Sequence, residues 1–112
     1  MRAYLYLAAA IAAEVAGTTA LKFSDGFENL LPTAVVLVGY IGSFYLLSLV
    51  LQDLPVGLVY ATWSAVGIVA AALVGVVLFD ESVDAAALAG MALIVAGVLV
   101  LNLLSESYSP AH

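Results

Sequence analysis

Four apolar runs of about twenty residues divide this chain, each as long as a membrane is thick. They cover residues 4–21, 33–52, 57–79 and 85–104. As helices, at 1.5 Å per residue, they reach roughly 27–35 Å, against a hydrocarbon core of about 30 Å. A membrane β-strand would alternate apolar and polar residues, and these runs are apolar throughout. A helix also satisfies its own backbone hydrogen bonds where water is absent. The expected fold class is an all-α integral membrane protein. It is a single four-helix transmembrane domain over residues 1–112, with a polar tail over 105–112.

Composition agrees. Of 112 residues, 66% are hydrophobic and 9% charged, with a mean hydropathy of +1.23. A soluble domain carries about 25% charge. There is no cysteine, hence no disulfide framework and no thiolate metal site. A net charge of -6 excludes nucleic acid as a partner, because phosphate backbones need a basic patch. The links "SDGFENLLP", "DLPVG" and "DESVD" are short and carry turn residues, so successive helices are expected to be antiparallel neighbours. The first run is longer than a signal peptide's apolar region and contains a glutamate, so it is expected to remain as a helix.

Loop charges leave orientation open. Arg2 and Lys22 are the two basic residues, one at each end of the first run. The positive-inside rule therefore balances. Either another signal sets orientation, or both orientations are made and oppositely inserted copies pair. Seven acids, Asp25, Glu28, Asp53, Asp80, Glu81, Asp84 and Glu106, fall in loops or at helix ends and read as a solvated surface. So many acids with so few bases also fit a high-salt habitat.

The eighth acid, Glu14, lies in the middle of the first run. A carboxylate there costs about 2.5–3.5 kcal/mol on insertion scales, which marks it as functional. Its helical neighbours are Leu7, Ala10, Ile11, Gly17, Thr18 and Leu21. Three of the six, Ala10, Gly17 and Thr18, are small, leaving room for a bulky guest or a close helix, and none is a lysine or arginine. A carboxyl withdrawn from water favours its neutral form, and a nearby cation favours the ionised form. Proton and cation then compete for one group, which is the minimum chemistry of an antiporter.

Aromatic residues suit an organic cation. Trp63 lies inside the third run, one turn after Tyr60, whereas a membrane anchor would lie at an end. Tyr40 and Phe44 share a face of the second run with Ser43 beside them, and Tyr4 stands earlier in the first. Around one carboxylate these make a candidate cage. The chain offers a metal only one inner carboxylate and a tail histidine, His112. It has no inner histidine or cysteine for hydrolytic chemistry, and its glycines form no phosphate loop. Neither metal, cofactor nor enzyme activity is expected. In the fourth run, Gly90 and Gly97 fall on one face, a pattern that lets helices approach closely and points to self-association.

These residues carry a resemblance. "AEVAGTTALKFSDGF" (13–27), "YIGSFYLLSL" (40–49), "LPVGLVYATWSAVGIV" (54–69) and "GMALIVAGVLVLNLLS" (90–105) closely resemble the small multidrug resistance family, and especially its quaternary-ammonium branch. The resemblance covers nearly the whole chain. It implies that Glu14 is the acid shared by protons and substrate. It implies that Trp63, Tyr60, Tyr40 and Tyr4 are aromatic binding residues. Leu7, Ala10, Ile11, Gly17 and Thr18 match the substrate-facing stripe, and Gly90, Leu93, Ile94 and Gly97 a dimer contact. It further implies an antiparallel homodimer in the cell membrane that exchanges protons for aromatic or quaternary cations. Two departures stand out. The family's W-S-G-x-G reads Trp63-Ser64-Ala65-Val66-Gly67, so a region expected to bend, Ala65, Val66 and Gly67, has lost one glycine. Basic loop residues are also scarce.

Two other readings remain at this level. One is the guanidinium-exporting branch of the same family, which would need a more polar cavity. The other is a non-transporting membrane subunit, in which Glu14 would be inert.

Overall fold

A computed structural model describes residues 2–107. Residues 108–112, which include His112 and the end of the expected polar tail, lie outside the described residues. The described chain is all-helical: α1 (Arg2–Phe23), α2 (Leu30–Val50), α3 (Val56–Phe79) and α4 (Ala85–Leu103). All four are long and apolar enough to cross a membrane, so this is a multi-pass membrane protein. The chain forms two compact units, Met1–Gln52 and Asp53–His112, each a helical hairpin.

In the first unit α1 and α2 pack at close range. A Cβ on Gly39 would lie 2.8 Å from the Ala13 carbonyl oxygen and 3.1 Å from the Gly17 Cα. Two glycines therefore let one backbone rest on the other, as small residues do between membrane helices. The connecting loop is tied to both helix ends. Ser24, fully buried, donates its hydroxyl to the Leu21 carbonyl (2.7 Å) and accepts from the Phe27 N–H (3.2 Å). Asn29 Nδ2 donates to the Phe23 carbonyl (2.9 Å), satisfying an orphan acceptor at the end of α1. Asp25, Gly26 and Phe27 all take positive φ, which turns the chain back within a few residues.

Pro32 does not delay α2. The helix begins at Leu30, with Asn29 as N-cap, and Thr33 N–H makes a bond to Asn29 O (3.1 Å). Proline is harmless here because a first-turn N–H has no intrahelical acceptor. The span therefore runs three residues further back than the apolar run from residue 33, and it closes at Val50, before Gln52.

In the second unit α3 starts after Pro55 and ends at Asp80, which is left-handed at φ 56°. The Glu81 N–H then returns to the Gly75 carbonyl (3.0 Å). The Glu81 side chain folds over the helix at Gly75, where any Cβ would collide with its carboxylate. Asp84 caps α4, its Oδ1 accepting from Ala87 N–H (2.8 Å). Near the other end of α4, Asn102 Nδ2 reaches across to Thr62 Oγ1 on α3 (3.1 Å) and also to Val98 O (3.0 Å).

Large apolar side chains cover much of the surface, among them Leu5, Val38, Val77 and Leu93. In a soluble protein this would be a liability. Against lipid tails it is the expected surface, because the hydrocarbon core is itself the apolar solvent.

Candidate functional site

The site begins on α1. Helical periodicity puts Leu7, Ala10, Ile11, Glu14, Gly17 and Thr18 on neighbouring positions. Leu7, Ala10, Ile11 and Gly17 are buried within the chain. Glu14 is half-buried and Thr18 exposed, so the polar end of the stripe is the accessible one.

One turn separates Glu14 from Thr18, and the threonine hydroxyl donates to Glu14 Oε2 at 2.6 Å. Thr18 Oγ1 is also 2.5 Å from the hydroxyl of Tyr40 on α2. The Tyr40 ring reaches that position over Gly17. A Cβ there would stand 3.5 Å from ring atoms Cδ2 and Cε2, so the phenol lies in contact with the α1 surface. Three polar side chains from two helices thus form a continuous carboxyl–hydroxyl–hydroxyl chain. Hydrogen bonds to a carboxylate are stronger than neutral ones, and they hold Glu14 in one orientation.

Other expected residues on the first unit have different surroundings. Ser43 is completely buried, and its hydroxyl has no hydrogen-bond partner among the described residues. Such a group costs about 1–3 kcal/mol, which calls for an explanation. Phe44 is 62% exposed, and Tyr4 is half-buried on α1.

On the second unit, Tyr60 and Trp63 lie on α3. Tyr60 is 74% exposed and Trp63 half-buried. Ser64 turns its hydroxyl back to the Tyr60 carbonyl (2.9 Å), so it serves its own helix. The helix passes unbroken through Ala65, Val66 and Gly67, with Ala65 buried. On α4, Gly90 and Gly97 face open space, since a methyl added at either would meet nothing within 4 Å, while Leu93 is 75% exposed.

Sequence reasoning identified Thr18 and Tyr40 separately but not their bond, which joins residues on different helices. It also passed over the Thr62–Asn102 bond. The signal for that pair was present in principle: Asn102 is the single amide side chain inside any of the four helices.

No group of three or more His, Cys, Asp or Glu able to hold a metal occurs among the described residues. Fold and site together define a class: a small multi-pass membrane protein with an acid inside its spans, hydrogen-bonded by a threonine hydroxyl. Comparison with known proteins narrows it. Residues 2–94 match the family model described as Small Multidrug Resistance protein, and the chain belongs to that family. It is 50% identical over 107 residues to the quaternary ammonium compound-resistance protein QacE of Escherichia coli, covering 96% of this chain and 97% of that one. It is 51% identical, over the same shares of each, to the multidrug transporter PA4990 of Pseudomonas aeruginosa. The multidrug transporter EmrE of Escherichia coli K12 is 49% identical, again over 96% of this chain and 97% of its own. These relatives are transporters and resistance proteins by name, not enzymes.

Proposed function

We propose that this chain is a proton-coupled antiporter that exports hydrophobic and quaternary ammonium cations, with proton and cation competing for Glu14. One observation carries the reading: a carboxyl stands in the middle of a membrane-spanning helix, hydrogen-bonded to Thr18 with Tyr40 next to it. A carboxyl at that depth is costly unless it is used. The name of QacE, a quaternary ammonium compound-resistance protein, supports a cationic cargo.

In the mechanism, ionised Glu14 attracts the cation, and Tyr40 and Tyr4 on the same unit offer aromatic faces to it; Tyr60 and Trp63 are the aromatic binding residues proposed for the second unit. Leu7, Ala10, Ile11 and Gly17 shape the α1 wall, Thr18 orients the acid, and Ser43 and Phe44 line α2. Bending at Ala65-Val66-Gly67 lets the site change the side it faces. Protons then rebind Glu14 and displace the cation.

The working unit is an antiparallel homodimer in the cell membrane, joined through Gly90, Leu93, Ile94 and Gly97. In support, α4 has no residue buried within the chain, and its glycines leave open notches for a second copy.

The test is tetraphenylphosphonium binding to purified protein across a pH series, because proton and cation favour opposite charge states of one carboxyl. Deprotonation creates the charge that holds the cation, so affinity rises with pH. Glu14→Gln abolishes both the binding and its pH dependence. Tight binding that ignores pH and survives Glu14→Gln would refute the shared site.

A further inference from the structure

Thr18 touches two groups through a single oxygen, and that oxygen has only one proton to give. A threonine hydroxyl is one donor with two acceptor lone pairs. An ionised carboxylate only accepts. With Glu14 ionised, the Thr18 proton therefore goes to Oε2, across 2.6 Å. The 2.5 Å contact to Tyr40 then has one donor left, the phenol O–H. The phenol proton points inward to Thr18, and a phenol lone pair faces away from the cluster.

Protonation of Oε2 reverses this order. A carboxylic O–H is a stronger donor than an alcohol, so Glu14 donates to Thr18. Thr18 Oγ1 then has its own proton to place, and the phenol oxygen at 2.5 Å is the acceptor the structure sets beside it, so we assign Thr18 as the donor to Tyr40 in this state. The Tyr40 O–H then swings away from the cluster. The one added proton comes from solvent, both hydroxyl protons stay on their own oxygens, and only two C–O bonds rotate.

We propose that Thr18 is a positioning residue that relays the protonation state of Glu14 to the direction of the Tyr40 O–H. This deepens the cation–proton exchange reading and rests on it for its purpose. In the ionised state the site offers a cation both a carboxylate and a phenol lone pair. In the protonated state it presents a neutral carboxyl and the positive end of an O–H bond. The two states thus differ at two points, which sharpens the choice between proton and cation.

The packing suits this role. The Tyr40 ring lies on Gly17, one residue before Thr18, so the phenol oxygen is held in register while its proton remains free to rotate. Few other charges compete for control. Across the four helices the charged residues are Arg2, Glu14 and Lys22, and Arg2 and Lys22 sit at the two ends of α1. Packed against α1, α2 carries no charged residue, and its titratable groups are Tyr40 and Tyr45; α1 adds Tyr4 and Tyr6.

Infrared difference spectroscopy on the full chain in lipid tests the relay. Ring-deuterated tyrosine marks the phenol C–O stretch, whose frequency separates a donating phenol from an accepting one. Tyr40→Phe assigns the band, and the carboxyl stretch of Glu14 reports its titration in the same spectra. The expected result is that the Tyr40 band shifts in step with the Glu14 carboxyl. Thr18→Val abolishes the shift, and Thr18→Ser retains it. A Tyr40 band that stays still while Glu14 titrates overturns the proposal. So does a shift that persists in Thr18→Val. Should Thr18→Val not fold, the wild-type and Tyr40→Phe spectra alone decide between a moving band and a still one. These spectra need no cation, so failure of the relay and failure of the exchange reading are separate outcomes. A working relay with no tetraphenylphosphonium binding would refute only the latter.

Discussion

Replacing Gly39 by alanine should pull apart the helix pair that carries the site. The new Cβ would sit 2.8 Å from the Ala13 carbonyl oxygen, about 0.6 Å inside the 3.4 Å at which ordinary contact begins. It would also press on the Gly17 Cα and N at 3.1 and 3.2 Å. All three neighbours are backbone atoms of α1, so no side chain can rotate aside and the helices themselves must separate. Overpacking of this kind costs about 1–3 kcal/mol. Alanine in place of a helical glycine returns roughly 0.5–1 kcal/mol, leaving a net loss of up to about 2.5 kcal/mol. Separation also moves Tyr40, the next residue, away from Thr18 and lengthens a 2.5 Å bond. Gly42→Ala is the matched control: same helix, same propensity gain, and nothing within 4 Å of the added methyl. Thermal unfolding in detergent micelles, followed by circular dichroism, should place Gly39→Ala below wild type and Gly42→Ala at or above it. Tetraphenylphosphonium binding should weaken in Gly39→Ala. Equal stability of the two variants would refute the close-approach argument.

Ser43→Ala should raise thermal stability, because it removes a buried hydroxyl with no partner among the described residues, worth up to about 1–3 kcal/mol. The same change should weaken cation binding if the hydroxyl serves the cargo; a variant both less stable and equally active would contradict this. Asn102→Leu removes the bridge to Thr62 and should destabilise the second hairpin by about 0.6 kcal/mol, and no more than about 1.7, read as a lower unfolding midpoint in micelles. Asp80→Gly should stabilise by up to about 1 kcal/mol in the same assay. It relieves a left-handed φ of 56° and takes a negative charge off a helix C-terminus.

The number of helices, their lengths and the one acid inside them were legible from residue type alone. Those properties depend on apolar run length against bilayer thickness and on the cost of burying a charge, both of which are local sums. Helix ends were less legible. Pro32 reads as a boundary, yet a proline's effect depends on whether its N–H would have had an acceptor, and in the first turn it would not. The faces were least legible. A soluble helix announces its inner side by an apolar stripe, but membrane helices are apolar all round, because lipid and protein interior have similar polarity. Nothing local therefore says that Gly39 lies on Ala13, that Ser43 is sealed while Phe44 is exposed, or that Asn102 finds Thr62. By itself the sequence determined a four-helix membrane protein with Glu14 at its centre. Only the tertiary structure joined Glu14 through Thr18 to Tyr40, because hydrogen bonds reach about 3 Å and the α1–α2 hairpin alone brings residues 22 positions apart to that distance.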